Sequence, residues 1–284
     1  MKNIVLAVAA AFMAGVAVSA EPAYDTLISH RGESVDAPEN TMPAFKTAVD
    51  RGFGFECDIY LSADKKLFTF HDRNLTRTTD GKHNEKCTEA SWENTVSKVN
   101  VAGWGKWKGS KFDPTTPALL EDVLKLARDG RYIYVEVKGN DPSWVPYIKE
   151  VFAKQSNATP KNALFISFGK EICAELKRQM PEYRVYWLAT PVVKANRKTG
   201  TKAHAYTADE IIAILKSLGV DGIDMHFKPK FVTADFVKKV RDAGFGFHVW
   251  TVDDLKLAKL AFSRGVQTVT TNCAKKMLDE YKGE

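Results

Sequence analysis

Residues 208–252 read ADEIIAILKSLGVDGIDMHFKPKFVTADFVKKVRDAGFGFHVWTV and contain one pattern twice. In each copy an amphipathic helix, Ala208–Leu218 or Ala234–Ala243, ends at a glycine, and a short apolar strand follows. A glycine at this point permits the left-handed conformation that turns the chain toward the next element. The stretch therefore predicts alternating helices and strands, as in proteins whose sheets are covered by helices.

The same alternation extends over most of the chain. If Leu67–His71 is counted as an extension of the second strand, there are eight strand–helix units of about 30 residues each. This order predicts an α/β protein of the (β/α)8 TIM-barrel class, and polar residues at many strand ends favour it over an open doubly wound sheet. The predicted strands are Thr26–His30, Phe53–Leu61, Tyr132–Lys138, Ala163–Phe168, Arg184–Ala189, Val220–Met225, Phe245–Val252 and Gln267–Thr271. The predicted helices are Thr41–Arg51, Ala118–Arg128, Trp144–Gln155, Lys170–Met180, Ala208–Leu218, Ala234–Ala243, Leu255–Ser263 and Ala274–Tyr281.

The first twenty residues predict an export signal. Met1–Ala20 carries one charge, at Lys2, and its apolar run Ile4–Val18 is shorter than the roughly 20 residues that cross a bilayer. Small residues precede the expected cleavage after Ala20, so we expect a signal peptide rather than a membrane anchor. The mature 21–284 domain would be periplasmic or secreted. No later apolar stretch reaches the length of a membrane helix, and no stable membrane insertion is expected.

Composition excludes several other classes. With 284 residues, 44% of them hydrophobic, and a net charge of +6, the chain is not of the disordered class. Lys and Arg form no dense cluster, so no nucleic-acid partner is expected, and nothing fixes an oligomeric state. The four cysteines contain no C-x-x-C pair, which disfavours thiolate zinc binding. A disulfide between Cys57 and Cys87 is compatible with export, but free buried thiols are expected.

One stretch, Arg73–Pro117, lacks clean periodicity and is rich in Gly, Lys, Asn and Trp. Because it follows the second predicted strand, we interpret residues 73–117 as a small insertion over the mouth of the barrel.

Three carboxylates lie on the predicted second and third strands. Alternation along a strand places Glu56 and Asp58 on one face, and places Glu136 on the same face as Lys138. Active sites of such barrels lie at the C-terminal ends of the strands, so these side chains should meet at the mouth. Carboxylate oxygens without thiolates suit Mg²⁺ or Ca²⁺. Salt bridges from the carboxylates to Arg31 and Lys138 are the alternative.

Two histidines end neighbouring elements at the same mouth. His30 ends the first strand, and His71 follows the extension of the second, with Asp72 beside it. Histidine titrates near neutral pH, so one ring can accept a proton while the other donates one. Arg31 and Lys138 supply positive charge for an anionic substrate. Two histidines, a hard cation and two cationic side chains are a set suited to phosphodiester hydrolysis.

A series of motifs covers most of the mature chain. They are Ile28-Ser29-His30-Arg31-Gly32, Pro38-Glu39-Asn40-Thr41, Ala44-Phe45, Glu56-Cys57-Asp58, His71-Asp72, Arg77-Thr78-Thr79-Asp80-Gly81, Glu136-Val137-Lys138, Ser167-Phe168 and Trp250-Thr251-Val252. In order and spacing this series resembles the glycerophosphodiester phosphodiesterase family.

The resemblance implies a metal-dependent TIM-barrel enzyme that hydrolyses glycerophosphodiesters, which are small-molecule substrates, to glycerol phosphate and an alcohol. Barrel packing is an almost equal interpretation of Trp250. The implied site residues are the cation ligands Glu56, Asp58 and Glu136, the acid–base pair His30 and His71, and the substrate contacts Arg31, Lys138 and Trp250.

The chain departs from the family pattern at Asp253, where Asn is frequent, and at Asn272, where Asp is frequent. Neither position is assigned an acid–base or metal role, so we expect the changes to affect the shape of the pocket and the substrate more than the reaction class. Two alternatives stay open: a phospholipase acting on lysophospholipids or phosphoinositides, and a non-catalytic binding barrel. The intact set of carboxylates and histidines argues against the second.

Overall fold

The computed structural model describes residues 21–155, 157–195, 198 and 202–284. The signal peptide predicted for residues 1–20 lies outside them. In chain order, the described strands are β1 Leu27–Ser29, β2 Gly54–Leu61, β3 Leu67–Thr69, β4 Ile133–Val137, β5 Ala163–Ser167, β6 Arg184–Ala189, β7 Val192–Val193, β8 His204–Ala205, β9 Gly222–His226, β10 Gly246–Trp250 and β11 Thr268–Thr271.

Helices lie between the successive barrel strands and after the last one. Their bounds are α1 Met42–Asp50, α2 Leu120–Leu124, α3 Val145–Ala153, α4 Lys170–Gln179, α5 Ala208–Leu218, α6 Ala234–Asp242, α7 Leu255–Ser263 and α8 Ala274–Lys282, with short 3-10 helices at Val96–Lys98, Gly105–Trp107 and Pro142–Trp144. Helix α5 shows the expected end, since Gly219 takes the left-handed conformation with a φ of 68°. Within the described residues, no helix is both long and apolar enough to cross a membrane.

The barrel is closed by its shortest strand. β1 pairs in parallel with β11 on one side and with β2 on the other, so the described strands β1, β2, β4, β5, β6, β9, β10 and β11 form one ring. The predicted (β/α)8 TIM-barrel class is therefore confirmed. In this fold the C-terminal ends of all eight strands meet at one face.

Two predicted elements were wrong in detail. Leu67–His71 does not extend β2, because its first three residues form β3, which folds back and pairs antiparallel with the end of β2. The predicted helix Ala118–Arg128 is reduced to α2, Leu120–Leu124, because the chain beyond it forms tight turns before the next strand. All other predicted elements agree with the structure within one or two residues at each end.

The core has an outer and an inner part. The outer part fills the space between the strands and the helices, and it includes Cys57. The inner part lies inside the ring, where the Tyr134 hydroxyl is 3.2 Å from Nδ1 of His248 and the Tyr186 ring stacks on that histidine. These packed rings close the barrel interior below the mouth, so any ligand must bind above them.

Residues 73–117 pack against two neighbouring parts of the fold. The Asp64 carboxylate, in the turn between β2 and β3, accepts a hydrogen bond from the backbone N–H of Trp92 at 2.7 Å. Lys106 Nζ donates to the backbone carbonyl of Val35, which lies in the loop after β1. The segment is thus held beside the mouth rather than away from it.

Candidate active site

Strands β2 and β4 bring the three predicted metal ligands together. One carboxylate oxygen from each of Glu56, Asp58 and Glu136 lies within 4.8 Å of the others, and all three side chains are buried. Oε1 of Glu56 has no hydrogen-bond partner among the described residues. A buried oxygen without a partner costs free energy, so this cluster has unused capacity for a ligand.

The cluster carries more negative charge than its surroundings favour. Burial raises the pKa of Glu56 well above its usual range, and the Asp58 carboxylate adds to the effect. Burial and Asp58 also raise the pKa of Glu136, to about 7. Burial alone would raise the pKa of Asp58 as well, but Lys138 and Arg31 hold it below its usual range. Without a cation, the surroundings of the cluster therefore favour the uptake of protons by Glu56 and Glu136.

Lys138 and Arg31 form the salt bridges that the sequence left as the alternative to metal binding. Lys138 Nζ lies 2.7 Å from Glu136 Oε1 and 3.1 Å from Asp58 Oδ1. The Arg31 guanidinium lies 2.8 Å from Glu39 and 3.5 Å from Asp58. Two cations facing three carboxylates leave the cluster short of positive charge, so the salt bridges and a divalent cation are compatible.

Asn40 orients Asp58, a role that the sequence reasoning missed. Its side-chain amide donates to Asp58 Oδ2 at 2.7 Å, and its Oδ1 accepts from the backbone N–H of Asp58 at 3.0 Å. Its φ of 57° is left-handed, a region that asparagine tolerates better than most residues. This paired contact fixes both the side chain and the backbone of one ligand.

His71 is held by a carboxylate that is itself neutralised. Its Nδ1 lies 2.6 Å from Asp72 Oδ1, and Arg77 donates to both oxygens of Asp72 at 2.6 and 2.9 Å. The hydrogen bonds from Arg77 lower the pKa of Asp72 to about 2. Because this carboxylate accepts hydrogen bonds, Nδ1 of His71 carries a hydrogen, and Nε2 is the ring nitrogen left for proton transfer.

His30 is held by a neutral amide instead. Its Nδ1 lies 2.7 Å from Oδ1 of Asn272, whose backbone N–H and side-chain amide donate to Asp253 at 2.8 and 2.7 Å. The donation to Asp253 identifies the Asn272 amide nitrogen, so the atom facing His30 is an oxygen that can only accept. Neutral His30 therefore carries its hydrogen on Nδ1 and a free lone pair on Nε2. Burial, helped by Arg31, lowers the pKa of His30 to about 4.

One of the two departures from the family pattern lies closer to the predicted chemistry than its position in the sequence indicates. Asp253 and Asn272 were expected to affect the shape of the pocket and the substrate more than the reaction class, and Asn272 contacts a predicted catalytic histidine directly.

Trp250 lines the pocket and also packs within its wall. The centroid of the Phe168 ring lies 5.5 Å from that of Trp250 in an edge-on arrangement, and the His226 ring stacks on Trp250 at 5.0 Å. The Trp250 Nε1 donates to the backbone carbonyl of Asp224 at 3.0 Å. The pocket has a volume of about 200 Å³. Its lining includes His30, Arg31, Glu56, His71, Glu136, Lys138, Phe168, Asp224, Trp250 and Thr270.

Asp224 is a lining residue that the sequence reasoning missed. It alternates with Gly222 and His226 on β9, the same period-two signal that identified Glu56 and Asp58. Applied to every strand, that signal would have found it.

The cysteines take no part in this site. Cys57 and Cys87 are buried free thiols, as expected, and burial raises the pKa of both. Cys57 belongs to the outer core, on the opposite face of β2 from the carboxylates.

Sequence comparisons with known proteins agree on one family. Residues 30–276 match the model of the glycerophosphoryl diester phosphodiesterase family. Glycerophosphodiester phosphodiesterase 1 of Mus musculus is 26% identical over 239 residues, covering 80% of this chain and 71% of the relative. A glycerophosphodiester phosphodiesterase of Caldanaerobacter subterraneus is 26% identical over 230 residues, covering 69% of this chain and 92% of the relative.

Solved structures share the fold. A phosphodiesterase of Oleispira antarctica, in complex with the product sn-glycerol-3-phosphate, superposes with a TM-score of 0.73 at 23% identity, covering 89% of this chain and 95% of that one. A glycerophosphodiester phosphodiesterase of Parabacteroides distasonis gives a TM-score of 0.69 at 24% identity, covering 91% and 97%.

Proposed function

We propose a mechanism for this protein, which belongs to the glycerophosphoryl diester phosphodiesterase family and is a phosphoric diester hydrolase. In this proposal the barrel mouth hydrolyses glycerophosphodiesters to glycerol phosphate and an alcohol, with a divalent cation and two histidines. The observation that carries it is the convergence of three buried carboxylates, two histidines and two cationic side chains on one pocket.

Glu56, Asp58 and Glu136 would hold the cation. Their oxygen ligands suit Mg²⁺ or Ca²⁺, and the unpartnered Oε1 of Glu56 supports this assignment. When bound, such a cation supplies positive charge to phosphoryl oxygens and to the charge that develops in the transition state.

Arg31 and Lys138 bind the phosphate in the proposal. Both line the pocket. Burial alone would lower the pKa of each, but Asp58 and the other nearby carboxylates raise it above its usual range, so both stay charged at neutral pH. The planar guanidinium of Arg31 can donate two parallel hydrogen bonds to a phosphate, while Lys138 acts as a point charge.

The two histidines take opposite proton-transfer roles because their partners differ. His30 presents an unprotonated Nε2 and has a low pKa, so it acts as the general base toward the nucleophile. Burial lowers the pKa of His71, but its hydrogen bond to the Asp72 carboxylate opposes this effect and favours the protonated ring, so in the proposal His71 donates a proton to the leaving alcohol. The nucleophile is either water or a free hydroxyl of the glycerol, which would give a cyclic phosphate first.

Alanine substitution tests the histidine pair. We expect His30→Ala and His71→Ala each to lower kcat on glycerophosphocholine about 10²–10⁴-fold with an unchanged melting temperature. His204→Ala, at an exposed histidine of β8, is the matched control and should retain full activity. Full activity in either of the first two variants would remove that histidine from the mechanism. Hydrolysis of lysophosphatidylcholine in preference to glycerophosphocholine would favour the phospholipase alternative.

We further propose that the enzyme is exported, on the sequence of residues 1–20. Expression of the full chain in a bacterium, followed by fractionation and N-terminal sequencing, should give a periplasmic or secreted product that begins at Glu21. A cytoplasmic product that retains Met1 would contradict export.

A further inference from the structure

Two polar side chains at the buried end of the pocket are not used by the mechanism above. Asp224, on β9, has no exposed surface, and neither of its carboxyl oxygens has a hydrogen-bond partner among the described residues. Thr270, on β11, is 2% exposed, and its Oγ1 also lacks a partner there. Both residues line the same pocket as the histidines and the carboxylate cluster.

Buried polar groups without a hydrogen-bond partner are energetically unfavourable. Burying a hydroxyl or a carboxyl group without a hydrogen bond destabilises the folded protein. Most buried polar atoms in folded proteins therefore have a partner, and an exception next to a pocket indicates that the missing partner is a ligand.

The pocket has two chemically different halves. The half formed by β1, β2 and β4 carries the acid–base and phosphate-binding side chains. The half formed by the later strands is mainly apolar, with Ile166 and Leu188 each only 3% exposed. Its rim, in contrast, includes Phe168, which is 48% exposed. Asp224 and Thr270 therefore place isolated hydrogen-bonding groups within an apolar wall, at its buried end.

We propose that Asp224 and Thr270 form a subsite for the hydroxyl groups of the glycerol moiety, an inference that rests on the proposed function. A hydroxyl can donate to a carboxyl oxygen of Asp224 and accept from the hydroxyl of Thr270, so one polyol satisfies both residues. With the phosphate held between Arg31 and Lys138, the glycerol points inward and the other alcohol points outward past Phe168.

The electrostatic environment favours a neutral ligand over a cationic one. Burial, with the nearby Glu136 carboxylate, raises the pKa of Asp224 well above its usual range. A neutral carboxyl group both donates and accepts hydrogen bonds, which matches a hydroxyl group. An ammonium headgroup would instead require a carboxylate at this position.

The test compares two phosphate monoesters that differ only in hydroxyl groups, sn-glycerol 3-phosphate and propyl phosphate. Their binding to the full mature protein with Mg²⁺ is measured by calorimetry, which requires no turnover. We expect Thr270→Val to weaken binding of glycerol phosphate about 5–10-fold, the loss of one neutral hydrogen bond, and to change binding of propyl phosphate less than twofold. Thr190→Val is the matched control, because the Thr190 hydroxyl is bonded to the Val192 carbonyl, and it should change neither affinity.

A second variant separates the hydroxyl from the ammonium interpretation. Asp224→Asn keeps hydrogen-bonding capacity and removes the acid, so we expect a change of less than about threefold for glycerol phosphate, whereas Asp224→Leu should weaken it about tenfold. If Asp224→Asn weakened phosphocholine binding more than glycerol phosphate binding, the subsite would belong to a cationic headgroup and the proposal would be overturned.

The remaining outcomes also decide the matter. Equal weakening of both monoesters by Thr270→Val, or no weakening of either, would overturn the hydroxyl subsite. If the wild-type protein failed to hydrolyse glycerophosphocholine yet bound glycerol phosphate in a hydroxyl-dependent way, the proposed function would fail and the subsite would stand.

Discussion

The two histidines of the site differ in what holds them. An amide oxygen of Asn272 holds His30, and a carboxylate oxygen of Asp72 holds His71. Burial has the largest effect on the pKa of both rings and lowers it, and the partners then differ, because a carboxylate stabilises the charged ring more than an amide does. In this chain the carboxylate on that side of His30 belongs to Asp253, which is bonded to Asn272.

Substitutions that exchange the amide and the carboxylate at positions 253 and 272 are expected to change both the activity and its pH dependence. Asn272→Asp alone places two carboxylates against each other, breaks the bond to Asp253 and should lower kcat/KM about tenfold or more. The double variant Asp253→Asn with Asn272→Asp restores the bond and should recover most of that loss. Because a carboxylate then contacts His30, the pKa of His30 should rise. The acidic limb of the kcat/KM profile should therefore move to higher pH.

The pH profile of the double variant decides this prediction. A purely structural role for Asn272 would restore activity without moving the acidic limb. A double variant as impaired as Asn272→Asp would show that the two residues do not act as a pair.

Asp224 has a further consequence for stability. In the folded protein burial keeps this carboxyl group protonated well above pH 4, whereas in the unfolded chain it ionises near 3.9. Between these two pKa values only the unfolded state has lost the proton, so stability falls as pH rises, by at most about 1.4 kcal/mol per unit. We therefore expect the stability advantage of Asp224→Asn over wild type, measured by urea unfolding, to grow from pH 4 to pH 7. An advantage independent of pH would show that Asp224 is ionised in the folded state.

Sequence could predict most site residues, for a physical reason. Glu56, Asp58 and Glu136 lie within single strands, where side-chain direction follows from a period of two. Asn272 is different, because its contact with His30 joins residues 242 positions apart through the closure of the barrel. No local pattern encodes that pairing. Asp224, in contrast, lies within a single strand, so the alternation along β9 is sufficient to predict that its side chain points to the pocket.

At the scale of elements, one helix depends on a cap from another loop. α4 has Gly169 at its N-cap and no capping side chain of its own. The side-chain oxygen of Asn140, from the loop after β4, accepts hydrogen bonds from the backbone N–H groups of Glu171 and Ile172 at 3.0 and 3.3 Å. This contact satisfies two N–H groups that the helix leaves unpaired and ties two βα loops together at the mouth.

We expect Asn140→Ala to destabilise the protein by about 1 kcal/mol, the typical value for loss of an N-cap. Urea unfolding provides the measurement. Thr207→Ala, which removes the capping box of α5, is the matched control and should cost a similar amount. If Asn140→Ala were neutral while Thr207→Ala was not, the borrowed cap would not contribute to stability.

Element prediction was accurate where local signals agreed. Helices α5 and α7 and strand β6 have the predicted bounds, since apolar periodicity and their flanking residues indicate the same ends. The extension of β2 failed because a strand that continues and a strand that folds back have the same composition. Only the pairing with β2, which is a tertiary contact, distinguishes them.

At the scale of the whole molecule, closure of the barrel assembles the site. β1 has only three residues, yet it pairs with both β2 and β11 and so brings the loop that carries His30 between Glu56 and Asn272. The charged half of the pocket comes from the first strands of the chain and the apolar half from the last ones. The proposed phosphate-binding and alcohol-binding parts of the site are therefore joined only in the folded barrel.

The carboxylate cluster should make stability depend on divalent cations. A cation that binds the folded state alone stabilises it by RT ln(1 + [L]/Kd), or about 2.7 kcal/mol at 100 times Kd. We therefore expect Mg²⁺ or Ca²⁺ to raise the melting temperature of the wild-type protein by several degrees. Glu136→Gln should remove most of this shift, whereas Glu175→Gln, at a carboxylate paired with Arg178 on α4, should retain it.

Cation binding should also release protons, because burial and neighbouring carboxylates raise the pKa values of Glu56 and Glu136 in the cation-free protein. The sign is fixed: carboxyl groups that are protonated before binding must ionise to become ligands, so cation affinity should rise from pH 5 to pH 8. Calorimetry in two buffers of different ionisation enthalpy measures the number of protons released. A cation-induced rise in melting temperature with no proton release would place the cation somewhere other than this cluster, and the absence of any rise would remove the metal from the mechanism.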